Sequence, residues 1–254
     1  MNFKFYEKIL EKYIKNREAS ILVLAAGKND FLVFSKLGFK NVTFSNLDER
    51  LNFNTFFPYK WSKQNAESLT FENNAFDYVI EHEGLHHCFS PHKALLEMYR
   101  VSKKGILCIE SSDNFLMRFC IKFKLAYQYE INAVIGNNFL RGGAANTEIP
   151  NYVYRWTENE IKKTINCYAP YSDHKIYYDY DLNLPVNLKK NLFLKFIFNI
   201  IGYILKIALP KQLNLFSFFI IKPNLFKNSF EWISFENKEI RLDRNWINRN
   251  SIKK

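Results

Sequence analysis

Residues 21–30 read Ile-Leu-Val-Leu-Ala-Ala-Gly-Lys-Asn-Asp, and the fold is decided there. Ile21 to Leu24 is short and wholly apolar. A strand with one face in water alternates apolar and polar residues, whereas an unbroken apolar run belongs to a central strand covered on both faces. Gly27 ends the run, and Phe31 to Leu37 then reads as a helix. Strand, tight turn and helix make the first half of a βαβ unit.

The same pattern extends outward. Upstream, Tyr6, Ile9, Leu10, Tyr13 and Ile14 recur at helical spacing. Downstream, Val42 to Leu47 and Phe76 to Ile80 predict strands, and Pro91 opens a helix with Ala94, Leu95, Met98 and Val101 facing inward. A proline at the first helical turn loses no hydrogen bond. Lys103-Lys104-Gly105 ends that helix, and Ile106 to Ile109 is the next strand. Strands alternating with helices predict an α/β fold with a parallel sheet.

From Asp113 the pattern changes. A helix over Phe115 to Tyr129 leads into a polar stretch containing Arg141-Gly142-Gly143 and Pro150. Thr157-x-x-Glu160 forms a capping box for a helix through Ile165. Ile176 to Tyr180 reads as a strand, Leu192 to Leu209 as a very apolar helix stopped by Pro210, and Phe216 to Ile221 as a last strand. The expected organisation is one domain over residues 1–225, followed by a basic tail over 226–254. Within it, 15–112 form a cofactor half, 113–212 an inserted helical substrate region and 213–223 a closing strand.

A chain of 254 residues can bury one sizeable core. With 48% hydrophobic and 24% charged residues, wholesale disorder is excluded. The net charge of +11 admits nucleic acid, anionic lipid or an acidic substrate. The basic residues are spread along the chain, and the densest group (Arg241, Arg244, Arg249, Lys253, Lys254) lies in the tail, so nucleic acid is not favoured. Cys88, Cys108, Cys120 and Cys167 are isolated, which fits neither a disulfide framework nor a cysteine zinc site. Met1 to Ser20 is lysine-rich and amphipathic, without the apolar stretch of a signal peptide, so a reducing cytoplasm is expected.

Ligands of open α/β sheets bind beyond the carboxyl ends of the strands. The turn Ala25-Ala26-Gly27-Lys28-Asn29-Asp30 is therefore the place to look: its small residues allow close approach, and Asn29 tolerates positive φ. About 20 residues on, Asp48 closes the second strand, where an acid accepts bonds from both hydroxyls of a ribose. Asn65 and Ala66 follow the third strand, placed to read an adenine edge.

Ile21–Gly27, Asn46-Leu-Asp48 and Gln64–Phe71 resemble the first three cofactor motifs of class I S-adenosylmethionine-dependent methyltransferases. Asn74–Ile80, Leu85-His-His87, Glu97–Gly105 and Phe218–Pro223 resemble that family's fourth, fifth and final strand segments. The resemblance implies a three-layer sandwich around a mostly parallel seven-stranded sheet whose last strand is antiparallel. It implies S-adenosyl-L-methionine as cofactor, held by Ala25, Ala26, Gly27, Asn29, Asp48, Asn65, Ala66 and Glu81. Val23 stands where the family usually has an acid, Ala25 and Asn29 where it has glycines, and Asn65 where it commonly has Asp. With no acid at Val23, the cofactor's amino end falls to Asp30 or a backbone carbonyl.

His82-Glu-Gly-Leu-His86 spells HExxH, but that zinc motif needs a helix. Here it follows a strand run, and Gly84 would cost about 1 kcal/mol inside a helix. No metal is expected. In the methyltransferase reading His86 or His87 lies beside the acceptor, where a neutral imidazole takes a proton from an attacking hydroxyl. The acceptor, a small molecule or glycan, is assigned to Arg141, Tyr152, Arg155 and Trp156: arginines suit carboxylate or phosphate, aromatics a sugar or ring face. A methyltransferase-like binding protein without activity and an RNA methyltransferase stay open as alternatives.

In the helix Leu192 to Leu209, Lys195, Asn199, Gly202 and Lys206 form one polar stripe. The helix is barely long enough to span a membrane, and each central lysine would cost about 2.5–3.5 kcal/mol. Packing with the stripe outward is expected, with peripheral contact to an anionic bilayer as the alternative.

Overall fold

A computed structural model describes residues 3–183, 192–236 and 239–250. Seven strands form one sheet: β1 Ile21–Leu24, β2 Val42–Asn46, β3 Lys60–Lys63, β4 Phe76–His82, β5 Ser102–Ser111, β6 Ile176–Asp181 and β7 Leu215–Ile221. Their order is β3-β2-β1-β4-β5-β7-β6. The first five run parallel, and β7 lies antiparallel to both β5 and β6. Strand order reverses between β1 and β4, which opens a crevice at their carboxyl ends.

The apolar run Ile21–Leu24 sits in the interior of the sheet. Ile21 and Val23 join one buried cluster, Leu22 and Leu24 the other, so both faces of β1 are covered. The first cluster includes helices α1 (Phe3–Tyr13), α2 (Lys28–Lys36) and α3 (Phe53–Phe56) and is filled by aromatic rings. Phe44 stacks on Phe56 at 4.8 Å and meets Phe34 edge-on at 5.8 Å. The second cluster lies under α4 (Pro91–Val101) and α7 (Glu158–Tyr168), the latter opened by the Thr157–Glu160 capping box.

Three expectations are corrected. Lys103-Lys104-Gly105 belongs to β5 and does not trail α4, which ends at Val101. A Cβ at Gly105 would stand 2.5 Å from the Ile220 carbonyl oxygen, so the close approach of β7 requires glycine there. Helix α5 spans Phe115–Lys122 only. Lys124 adopts φ +59° while the Leu125 N–H returns to the Cys120 carbonyl, a left-handed helix stop. A short helix α6, Ile131–Ile135, follows.

The third correction concerns the apolar helix Leu192–Ala208. The described part of its polar stripe meets the protein: Gly202 is buried against Leu182, and Lys206 pairs with Asp181 on β6. Its apolar side faces out, with Phe196 62%, Tyr203 67% and Ile207 69% exposed. The side chains of Lys195 and Asn199 lie outside the described residues. Among the described residues, no helix is long and apolar enough to cross a membrane.

Beyond β7 come a short helix Leu225–Asn228, an antiparallel hairpin of β8 (Ile233–Glu236) and β9 (Glu239–Leu242), and a helix Arg244–Asn250. The Phe230 N–H donates to the Tyr171 carbonyl, which docks this segment on the domain. Lys253 and Lys254 lie outside the described residues.

Candidate active site

A cavity of about 330 Å³ opens beyond the carboxyl ends of β1, β2 and β4. Ala25, Asp48, Asn65 and Ala66, four of the residues expected at the cofactor, line it together with Glu83, Gly84, His87, Gly142 and Gly143. The positive φ lies at Ala25 (+49°) and not at Asn29, which is an exposed residue inside α2. Ala26 is buried in the core and its N–H donates to the Ser45 carbonyl, while the Gly27 N–H donates to Asp30. Ala26, Gly27 and Asn29 thus shape the turn without lining the cavity. Asp30 turns inward too, and burial lifts its pKa to about 6. The acid that faces the cavity near this turn is Glu83, which the sequence reading overlooked.

Gly84 is sterically required. A Cβ there would come within 2.5 Å of the Ala25 Cβ, so the two turns at the crevice pack with no side chain between them.

Asp48 meets its own turn. Its N–H donates to the Asn46 side chain, and Arg50 grips its carboxylate with Nε at 3.0 Å and Nη2 at 2.5 Å. Arg50 holds the Asp48 pKa below the usual carboxylate range, so the acid stays ionised. Arg141, expected in the acceptor pocket, instead places its guanidinium 3.8 Å from Asp48.

The loop after β4 is not helical. His82 ends the strand and stacks on Tyr6 at 4.3 Å, and burial lowers its pKa to about 4. Glu83 has φ +51°, and Leu85–His87 forms one 3₁₀ turn, so His82 and His86 do not share a helix face. Glu81, expected at the cofactor, is fully buried and accepts hydrogen bonds from the Gly84 and Leu85 N–H groups. Burial, then the neighbouring Glu110 charge, push its pKa up, which favours the neutral acid. It holds the loop from below.

His86 and His87 sit in that turn with different environments. His86 is buried, with Nδ1 2.9 Å from Glu110 on β5 and Nε2 3.5 Å from Glu130. Burial opposes its charge, but the two carboxylates outweigh burial and raise its pKa. His87 is one-third exposed, with Nε2 3.3 Å from Glu130; burial and His86 lower its pKa. Glu130 is brought to about 2 by His86 and His87, against the opposing effect of burial. The Asn151 Nδ2 donates to Glu130 at 3.2 Å, and the Glu130 N–H donates to the Asn151 carbonyl.

A second cavity of about 440 Å³ is lined by Ser111, Tyr127, Tyr129, Glu130, Ile131, Asn132, Ala133, Val153 and Arg155. Ala133 lines both cavities, and the His87–Glu130 contact joins a lining residue of one to a lining residue of the other. Arg155 is where the sequence reading placed it, anchored by Nη2 on the Tyr127 carbonyl at 2.7 Å. Tyr152 is half-exposed, packing edge-on against Tyr129 at 5.4 Å, and supports the rim without lining it. Trp156 is fully buried between His92 and Phe218, so it fills the core and does not face an acceptor. Glu110, Glu130 and Asn151 escaped the sequence reading because they lie on segments whose periodicity announces nothing about which side chains converge.

Residues 37–109 match the family described as methyltransferase domain. No curated protein matches the chain. A SAM-dependent methyltransferase from Thermotoga maritima is 13% identical over 87% of this chain and 89% of its own, with a TM-score of 0.51. Magnesium protoporphyrin IX methyltransferase from Synechocystis PCC 6803, solved with bound SAH, is 10% identical over 87% and 82% of the two chains, with a TM-score of 0.52. The complex of the Haloferax volcanii Trm112 methyltransferase activator with a methyltransferase gives 11%, 86%, 93% and 0.53 respectively. At these identities the likeness is one of fold.

Proposed function

We propose that this chain is a class I S-adenosylmethionine-dependent methyltransferase that methylates a small-molecule or glycan-type acceptor. The observation that carries this reading is the arrangement of two cavities that meet at His87 and Glu130. A cofactor in the first and an acceptor in the second would then have His87 and Glu130, groups able to hold and accept a proton, between them.

The first cavity fits the cofactor by its donors and acceptors. Asp48, ionised and fixed by Arg50, suits a ribose diol, and Asn65 with the Ala66 N–H suits an adenine edge. Glu83 suits the ammonium of the amino acid end, taking the part left open by Val23. When bound, the cofactor supplies a sulfonium methyl group open to in-line displacement, and the protein supplies orientation and exclusion of water.

In the second cavity, Tyr127 and Tyr129 offer ring faces and Arg155 a guanidinium, a set that suits a sugar carrying an anionic group. His86, bound between Glu110 and Glu130, favours the imidazolium and cannot serve as base. His87, held neutral by burial, can accept a proton from an attacking hydroxyl.

The surface beside this cavity supports work at an anionic bilayer. Phe115 and Phe123 on and after α5 are 77% and 56% exposed, and the Leu116 N–H donates to Gln212, just beyond the exposed apolar helix. The two apolar surfaces therefore meet, and exposed Lys122 and Lys124 lie at the end of α5 and just beyond it. Apolar side chains flanked by lysines on a chain of charge +11 match the interfacial plane of an anionic membrane. A lipid-linked acceptor would reach the cavity there.

The test supplies methyl-labelled S-adenosylmethionine with separate small-molecule, lipid-linked glycan and RNA fractions of cells. The expected result is label in a glycan or small molecule with equal release of S-adenosylhomocysteine. Label confined to RNA, or no labelled product, would overturn the proposal.

A further inference from the structure

We propose that His86, His87 and Glu130 form a binding site for one divalent transition-metal ion, with Zn²⁺ the ion that suits its donors. The set is two imidazoles and a carboxylate, and one ligand atom from each lies within 4.8 Å of the other two. The two distances to Glu130 Oε2 are 3.5 and 3.3 Å. A tetrahedral ion with bonds of about 2.0–2.2 Å has ligand-to-ligand edges of about 3.3–3.6 Å. The two edges to Glu130 thus stand at the spacing a tetrahedral ion imposes, and the edge between the two imidazoles lies within 4.8 Å.

The surroundings complete the pattern of a metal site. Ligating histidines hand their second ring nitrogen to a carboxylate or backbone carbonyl, which fixes the tautomer and aims the other nitrogen at the ion. His86 gives Nδ1 to Glu110 at 2.9 Å, and an ion at Nε2 replaces the proton that the imidazolium carries there. Asn151 holds Glu130 through both its side chain and its carbonyl. An ordinary ion-pair cluster explains Glu130 between the rings, yet it does not require both Nε2 atoms to aim at one carboxylate oxygen. These residues are not the HExxH set, since His82 is stacked away on Tyr6.

Three protein donors leave a fourth position open, as in catalytic rather than structural sites. His87 lines the first cavity and Glu130 the second, so the donor set stands between them. The binding claim stands on the three side chains alone. The expectation that an acceptor oxygen takes the fourth position rests on the function proposed above, with His87 then acting as ligand in place of base.

Tag-free protein, stripped with chelator, is titrated with Zn²⁺ by calorimetry and with Co²⁺ by visible absorption. One ion per chain is expected, with the absorption bands of a four- or five-coordinate nitrogen–oxygen site. His87→Gln and Glu130→Gln each weaken Zn²⁺ binding by more than the roughly 10- to 100-fold expected for Glu110→Gln. His87 is partly exposed, so its variant folds, and circular dichroism checks that. No ion bound at about 1 mM Zn²⁺, or equal affinity in His87→Gln, would overturn the site. S-adenosylhomocysteine binding is measured in parallel: ion binding without it sinks only the methyl-transfer reading, and the reverse sinks only the metal site.

Discussion

The Nδ1 atom of His86 lies 2.9 Å from Glu110, and both side chains are shut off from solvent. Glu110 sits on β5 and His86 in the turn after β4, so this pair ties the loop of the site to the centre of the sheet. The same carboxylate accepts the Leu85 N–H at 2.8 Å. Removing one partner of such a pair leaves a buried group uncompensated.

Glu110→Gln should therefore cost about 3–5 kcal/mol of stability. Urea unfolding measures it, as a lower midpoint at unchanged slope. A loss below about 1 kcal/mol, the range of an exposed pair, would show that Glu110 does not clamp the loop.

Asp30 gives a pH-dependent prediction. Its folded pKa is raised by burial from 3.8 to about 6, so between these values the folded chain holds a proton that the unfolded chain has lost. Stability conferred by Asp30 is then lost as pH rises through that window and is level above it, a span of roughly 3 kcal/mol. Asp30→Asn keeps an acceptor for the Gly27 N–H and removes the titration. Unfolding free energies of both proteins at pH 4.5 to 7.5 should diverge by about 1.4 kcal/mol per unit below pH 6, with wild type gaining as pH falls. His82, whose lowered pKa acts with the opposite sign, is common to both and cancels. A constant gap would mean that Asp30 titrates as an ordinary carboxyl.

Much of this fold was legible because its signals are local. Four apolar residues in a row at Ile21–Leu24 report cover on both faces, and Thr157 with Glu160 reports a helix start, since each feature depends on a few adjacent residues. That Asp48 lines the first cavity was legible because it follows a strand end, and the carboxyl ends of the strands open the crevice. The failures concern what only tertiary packing decides. A striped helix at 192–208 does not say which side meets the protein, and Gly202 against Leu182 shows that the stripe faces in at that turn. Glu81 and Trp156 looked like site residues by position, but the pleat and the packing turned both inward. Glu130 joins the two histidines only because α6 folds back over the crevice, and no spacing records that.

The outward apolar surface gives a binding prediction. Protein mixed with vesicles containing about one-third anionic lipid should float with them at low salt and be released as salt rises. Tyr203→Ser with Ile207→Ser should abolish flotation while leaving the melting temperature unchanged, because both side chains are mostly in solvent. Lys122→Glu with Lys124→Glu should weaken it by charge. Protein that stays at the bottom of the gradient on anionic vesicles at low salt would remove the membrane from the proposed function.

The most direct test of the whole account is calorimetric titration of S-adenosylhomocysteine into wild type and Asp48→Ala. The ionised Asp48 faces the first cavity beside Asn65 and Ala66, and losing its charged hydrogen bonds to the ribose corresponds to about 1.5–3 kcal/mol. The account predicts saturable one-to-one binding by wild type, weakened roughly 10- to 150-fold in the variant. No heat at millimolar ligand, or equal affinity in both proteins, would contradict it.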